Sequence, residues 1–91
     1  MREIERITRI VIEAYKRVRK KRALWKINWA ILSRVLKFTR GRRKEIPSVY
    51  TVNKYHFFVR VDGKLYEFLI VYDKVFVYKY KEVDRFATVI R

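Results

Sequence analysis

The hydrophobic period of this chain changes once, at Pro47. Before it, apolar residues recur every three or four positions, the repeat of a helix face. After it they alternate, the repeat of a strand. Pro47 also pushes Ile46 towards an extended conformation. A chain with both periods, in that order, is restricted to an α+β arrangement: two N-terminal helices packed on one face of a C-terminal antiparallel meander of four or five strands. Its 91 residues make a single domain of residues 1–91, with a helical half (2–40), a basic linker (41–47) and a β-meander (48–91).

Residues 2 to about 20 predict an amphipathic helix. Ile4, Ile7, Val11, Ala14 and Val18 form its stripe, flanked by Ile10 and Tyr15. Glu5 with Arg9, and Glu13 with Arg17, are supporting pairs at a spacing of four. Residues 23 to about 40 predict a second helix, with Gly41 as its stop signal. One flank carries Leu24, Ile27, Ile31, Val35 and Phe38, the other Trp25, Trp29, Leu32 and Leu36. That apolar arc is wider than one neighbour covers. It predicts packing on helix 1, on the sheet and on a second subunit, with Trp25 and Trp29 packed rather than stacking on bases, although Trp beside Lys and Arg also suits a membrane interface. Nothing between residues 19 and 25 breaks helix, but a 35-residue helix suits a domain this small poorly, so a connection is expected near residues 20–23.

In the second half, Asp62-Gly63 is a strong two-residue hairpin signal. Asp73-Lys74 and Asn53-Lys54 are weaker turns. Two-residue turns assign the sheet faces. Tyr55, Phe57, Val59, Val61, Tyr66, Phe68, Ile70, Tyr72, Val75 and Val77 should meet the helices. His56, Phe58, Arg60, Leu65, Glu67, Leu69, Val71, Phe76, Tyr78 and Tyr80 should form a dimer interface or a partly wet binding surface. In this register Arg60 and Glu67 are diagonal neighbours and predict a cross-strand ion pair.

Charge sets the class of partner. The chain holds 24 Lys and Arg against 9 Asp and Glu, a net charge of +15. Solubility alone is met by a net charge of roughly 2–8, and the excess is self-repulsive. With 51% apolar and 16% aromatic residues the chain folds rather than remaining a disordered tail, so the charge must lie on its surface. The segment KRVRKKR places Lys16, Arg17, Arg19, Lys20, Lys21 and Arg22 within seven positions. Lys26, Arg34, Lys37 and Arg40 follow along helix 2, then Arg42, Arg43 and Lys44 in the linker. Such asymmetry points to a polyanion, with guanidinium groups suited to bidentate phosphate contacts. DNA or RNA is the first expectation, bound through its backbone and largely independently of sequence, by a homodimer. An acidic protein partner, bound by a small interaction or inhibitor module, is the second. An anionic membrane surface is the third.

Catalytic signatures are sparse. Without Cys there are no disulfides or thiolate metal sites. His56, the one histidine, has no carboxylate at a ligand spacing. Two glycines leave little room for a phosphate-cradling loop. No cofactor or metal is implied, and the residues point to binding rather than catalysis. The N-terminus lacks a signal-peptide pattern and no apolar run nears the ~20 residues of a spanning helix, so a cytoplasmic or virion-associated protein is expected. Absent Gln, scarce Asn and abundant Ile, Val, Lys, Arg and Glu are the bias of a hot-environment archaeon or its virus.

Two helices followed by a basic antiparallel meander, over about residues 2–86, resemble the layout of the RelE/ParE toxin superfamily. That family usually opens on a strand, whereas this chain opens on a helix. The resemblance implies ribosome-dependent RNA cleavage, with Lys54, Arg60, Tyr80 and Arg85 as the residues carrying it.

Overall fold

A computed structural model of the chain describes residues 2–40, 46–82 and 84–90. Gly41, Arg42, Arg43 and Lys44, read above as stop signal and basic linker, lie outside them. The described residues form α1 (Glu3–Val18), α2 (Leu24–Phe38) and five strands, β1 (Ser48–Asn53), β2 (His56–Val61), β3 (Lys64–Val71), β4 (Lys74–Lys79) and β5 (Arg85–Val89). The strands lie in sequence order with every neighbour antiparallel. This is the expected α+β layout, with five strands rather than four.

The helices separate because a continuous one would not fit. Thirty-five helical residues would span about 52 Å, whereas the longest dimension of the fold is 32 Å. The chain turns through Lys21 N–H, which donates to Val18 O at 2.9 Å, and Ala23 is extended, ahead of α2. Both helices then lie on one face of the sheet, α1 against β4 and β5 and α2 against β1.

The core is the face that the alternation predicted. Phe57, Val59, Val61, Tyr66, Phe68, Ile70, Val75 and Val77 are buried against Ile4, Ile7, Val11, Ala14 and Tyr15 of α1 and Ile27, Ile31 and Val35 of α2. Tyr55 and Tyr72 depart from that assignment. Tyr55 is 55% exposed and Tyr72 97% exposed, because both are turn residues rather than strand residues. The β3–β4 turn is Tyr72-Asp73, not Asp73-Lys74, and Lys74 pairs with Val71. The slip moves the pairing by two residues, so Val75 and Val77 keep their face. The β2–β3 turn is as expected: Asp62 and Gly63 both have positive φ, 52° and 75°, the requirement of a tight type I′ hairpin.

Helix 2 buries only one flank. Trp25 and Trp29 are 68% and 63% exposed, so neither helix 1 nor the sheet buries them. Ile27, Ile31 and Val35 are fully buried, whereas Trp25 borders an open depression of about 250 Å³ beside Val49, Tyr50 and Thr51 of β1.

A polar tie fixes the start of α1. Glu3 Oε1 accepts from Lys64 Nζ and from the Tyr66 hydroxyl, each at 3.1 Å. Burial opposes ionisation of Glu3, but the two donors outweigh it and hold the carboxyl below its ordinary value near 4.5. Burial first, and the Glu3 charge second, push the Tyr66 phenol well above its usual range. The folded chain binds the Glu3 proton less readily than the unfolded chain. The tie therefore stabilises the fold above about pH 4.5 and that contribution is lost as pH falls through the lowered value. Glu3→Gln is expected to lower the thermal midpoint near neutral pH, with the gap to the parent closing on acidification. A gap that stays constant across that range in thermal melts would show that Glu3 is not held as an anion by these donors.

Candidate nucleic-acid interface

In a meander of antiparallel neighbours, alternate turns fall at the same end of the sheet. The β1–β2 turn (Lys54, Tyr55) and the β3–β4 turn (Tyr72, Asp73) share one end. The Tyr15 hydroxyl, near the end of α1, donates to Lys54 O at 2.8 Å. This contact brings the α1–α2 connection to that same end. Tyr15's phenol is pushed upward by burial and by Tyr55, and drawn back by Arg19.

The KRVRKKR segment therefore does not stand alone. Arg17, Arg19, Lys20, Lys21, Arg22 and Lys26 are exposed at this end, and the two turns add Lys54 and Lys74. Neither is among the cations expected from sequence to hold phosphate; Lys54 is named there for RNA cleavage and as a turn residue, and Lys74 only as a turn residue. Counting strand directions would have placed them beside the α1–α2 loop. Tyr55, Tyr72 and Trp25 stand exposed among these cations, with Lys26 Nζ 5.6 Å from the Trp25 ring centroid. Tyr72 holds φ at 58°, a left-handed conformation that costs a bulky residue about 1–2 kcal/mol.

The acids have gone elsewhere. Among the described residues Asp73 sits at the basic end, and Glu13 approaches it along α1. Glu3, Glu5, Asp62, Glu82 and Asp84 lie at the other, where all but Asp62 hold a cation. Glu3 holds Lys64 at 3.1 Å, Asp84 holds Arg2 at 2.7 Å and Glu82 holds Lys79 at 2.7 Å. At the basic end Arg17, Arg19, Lys20, Lys21 and Arg22 make no ion pair with any described residue. Lys16 differs: it is half-buried and 3.7 Å from Glu13.

The helix-2 stripe is not one surface. Lys26 belongs to the basic end, whereas Lys37 and Arg40 are exposed about 20 Å along the helix. Arg34 is half-buried midway, in a groove of about 260 Å³ that it shares with Arg9, Ile10, Glu13 and Phe38. Arg9 and Arg6, the latter 5.4 Å from the Phe38 ring centroid, extend this second, weaker basic strip along α1.

The outer face of the sheet is covered by no described element. Tyr50, Phe58, Glu67, Tyr78 and Arg85 run across it in one row, and His56, Leu69, Phe76 and Ala87 in the next. The expected Arg60–Glu67 pair is absent. Glu67 instead bonds His56 at 2.7 Å, along the opposite diagonal from the Phe58–Glu67 pairing. In a twisted sheet the two diagonals are not equivalent, and twist cannot be read from register alone.

Lys54, Arg60, Tyr80 and Arg85 are not gathered into one site. Lys54 lies at the basic end, while Arg60 is about 20 Å further along β2, near the β2–β3 turn. No three His, Asp or Glu side chains converge as metal ligands among the described residues. None of their helices is long and apolar enough to cross a membrane. No family model, curated protein or solved structure matches the chain.

Proposed function

We propose that this protein is a non-enzymatic nucleic-acid-binding protein that holds the phosphate backbone with little dependence on sequence. The observation that carries the reading is the segregation of charge. Five cations at the end of α1 and in the α1–α2 connection make no ion pair with any described residue, Lys26, Lys54 and Lys74 join them, and Glu3, Glu5, Glu82 and Asp84 hold cations at the opposite end. A fold that needed only solubility would scatter its charges and pair them. Cations kept unpaired and together are costly unless an anion completes them. Arg and Lys on loops and turns reach phosphates without requiring a groove, which suits backbone contact rather than base readout.

The test is a salt titration of the parent protein with labelled oligonucleotides of mixed sequence. Binding is expected to weaken steeply with salt, by a hundred-fold or more between about 50 and 200 mM if five or more phosphates are contacted. Affinity that barely changes over that range would overturn backbone binding. An acidic protein partner would use the same end, and it would show itself as absent oligonucleotide binding even at low salt.

A further inference from the structure

The outer face of the sheet presents aromatic rings where burial cannot account for them. Tyr50 is 67% exposed and Tyr78 is 38% exposed, and no described element packs over either. Strand propensity favours aromatic residues on any sheet, but it does not explain what accompanies them. The face holds two depressions. One, of about 370 Å³, is lined by Tyr50, Phe58, Arg60, Leu65 and Ser48. The other, of about 100 Å³, is lined on this face by Phe76, Tyr78, Arg85 and Ala87. Each sets two aromatic rings beside one arginine. In the first, Tyr50 and Phe58 lie near-parallel at 6.5 Å between ring centroids.

We infer that this face binds single-stranded nucleic acid, with one unstacked base seated in each aromatic–arginine depression and the neighbouring phosphates held by Arg60 and Arg85. The inference rests on the reading that the protein binds nucleic acid, and it names which form. Three features select that occupant. The face is cationic: Arg60, Lys74 and Arg85 are exposed, and its one acid, Glu67, is engaged by His56 at 2.7 Å. A second copy of the chain meeting this face about a two-fold axis would set those cations against themselves. An anion with planar, apolar faces is complementary to both the charge and the rings. In a duplex those base faces are stacked on one another and closed to a sheet, whereas single strands offer them. Lys74 lies at the edge shared with the basic end, so one strand can run from the phosphate-binding loops onto the aromatic rows.

The experiment uses the full chain and fluorescence anisotropy at fixed salt. The probes are a labelled mixed-sequence single strand, its duplex, and an abasic strand of the same length. Tyr50→Ala and Tyr78→Ala are compared with Tyr50→Phe and Tyr78→Phe, with circular dichroism confirming the fold of each. The expected result is tighter binding of the base-bearing single strand than of duplex or abasic strand. Each Ala variant should lose about five-fold or more for the single strand, with an unchanged salt slope, and each Phe variant should keep its affinity. Equal binding of abasic and base-bearing strands, or unaltered affinity in the Ala variants, would overturn base stacking and leave backbone binding intact. A dimer seen by light scattering and dispersed by the Ala variants, with single-strand affinity intact, would also overturn it and assign the face to a second copy. No parental binding to any probe at low salt would overturn the nucleic-acid reading itself.

Discussion

Exchanging Arg17, Arg19, Lys20, Lys21 and Arg22 for glutamine is expected to flatten the salt dependence of nucleic-acid binding without unfolding the protein. Each phosphate contact contributes about 0.7 to the logarithmic salt slope on a single strand and about 0.9 on duplex. Five contacts together would therefore remove up to about 3.5 and 4.5. The loss in affinity should be largest at low salt and shrink as salt rises, because counterion release is the term removed. None of the five side chains has an ion-pair partner among the described residues, so no ion pair is broken. Their mutual repulsion is relieved instead, at about 1 kcal/mol for a pair 4 Å apart in water. The thermal midpoint should therefore hold or rise. The matching exchange of Lys64 and Lys79, which are held by Glu3 and Glu82 at the acidic end, should leave the salt slope almost unaltered. If both sets of variants lower the slope equally, the protein acts through its net charge and the basic end has no special part.

Phe57→Ala is expected to bring the protein close to unfolding. Phe57 is 1% exposed and lies between two rings, Tyr15 at 5.9 Å and Phe68 at 5.2 Å. It thereby joins α1 to β2 and β3. Truncating a buried Phe costs about 3–5 kcal/mol, against a total stability of about 5–15 kcal/mol for a native domain. The loss falls on the one core that joins both helices to the sheet. Urea unfolding should show a correspondingly lower midpoint. The slope should be unchanged if the native state keeps its compactness. A loss under about 1 kcal/mol would mean that this aromatic stack does not hold the helices on the sheet. Phe58→Ala is the control from the next position along the strand. Its ring faces outward, so its loss should cost markedly less.

The neighbouring residues 57 and 58 illustrate why so much of the fold was legible before any coordinates. Strand geometry sends successive side chains to opposite faces, so alternation in YHFFVRV and KLYEFLIVY sorts core from surface without knowledge of what covers either. The Asp62-Gly63 turn then aligns the two strands, since its residues supply the positive φ a tight hairpin needs. The same local logic read the α1 stripe from Ile4 to Val18. It failed at Tyr55 and Tyr72, where alternation was carried into turns. A Tyr at φ 58° is a choice that propensity argues against.

The site was less legible than the fold. The run from Lys16 to Arg22 was visible as a cluster along the chain, but Lys54 and Lys74 join it only because alternate turns share an end. Lys37 and Arg40, drawn onto one helix stripe by periodicity, sit near the opposite end of the molecule. What the sequence by itself determined is the kind of each element, the face each residue takes and the sign of the whole charge, because local backbone geometry and composition suffice for these. What only the tertiary structure decided is which charges meet and which are cancelled. It also decided that Glu67 turns to His56 instead of Arg60, and that the Trp25 and Trp29 flank stays bare. Those outcomes depend on sheet twist, on strand direction and on how much surface two helices can cover, and none of the three is a property of a local stretch of chain.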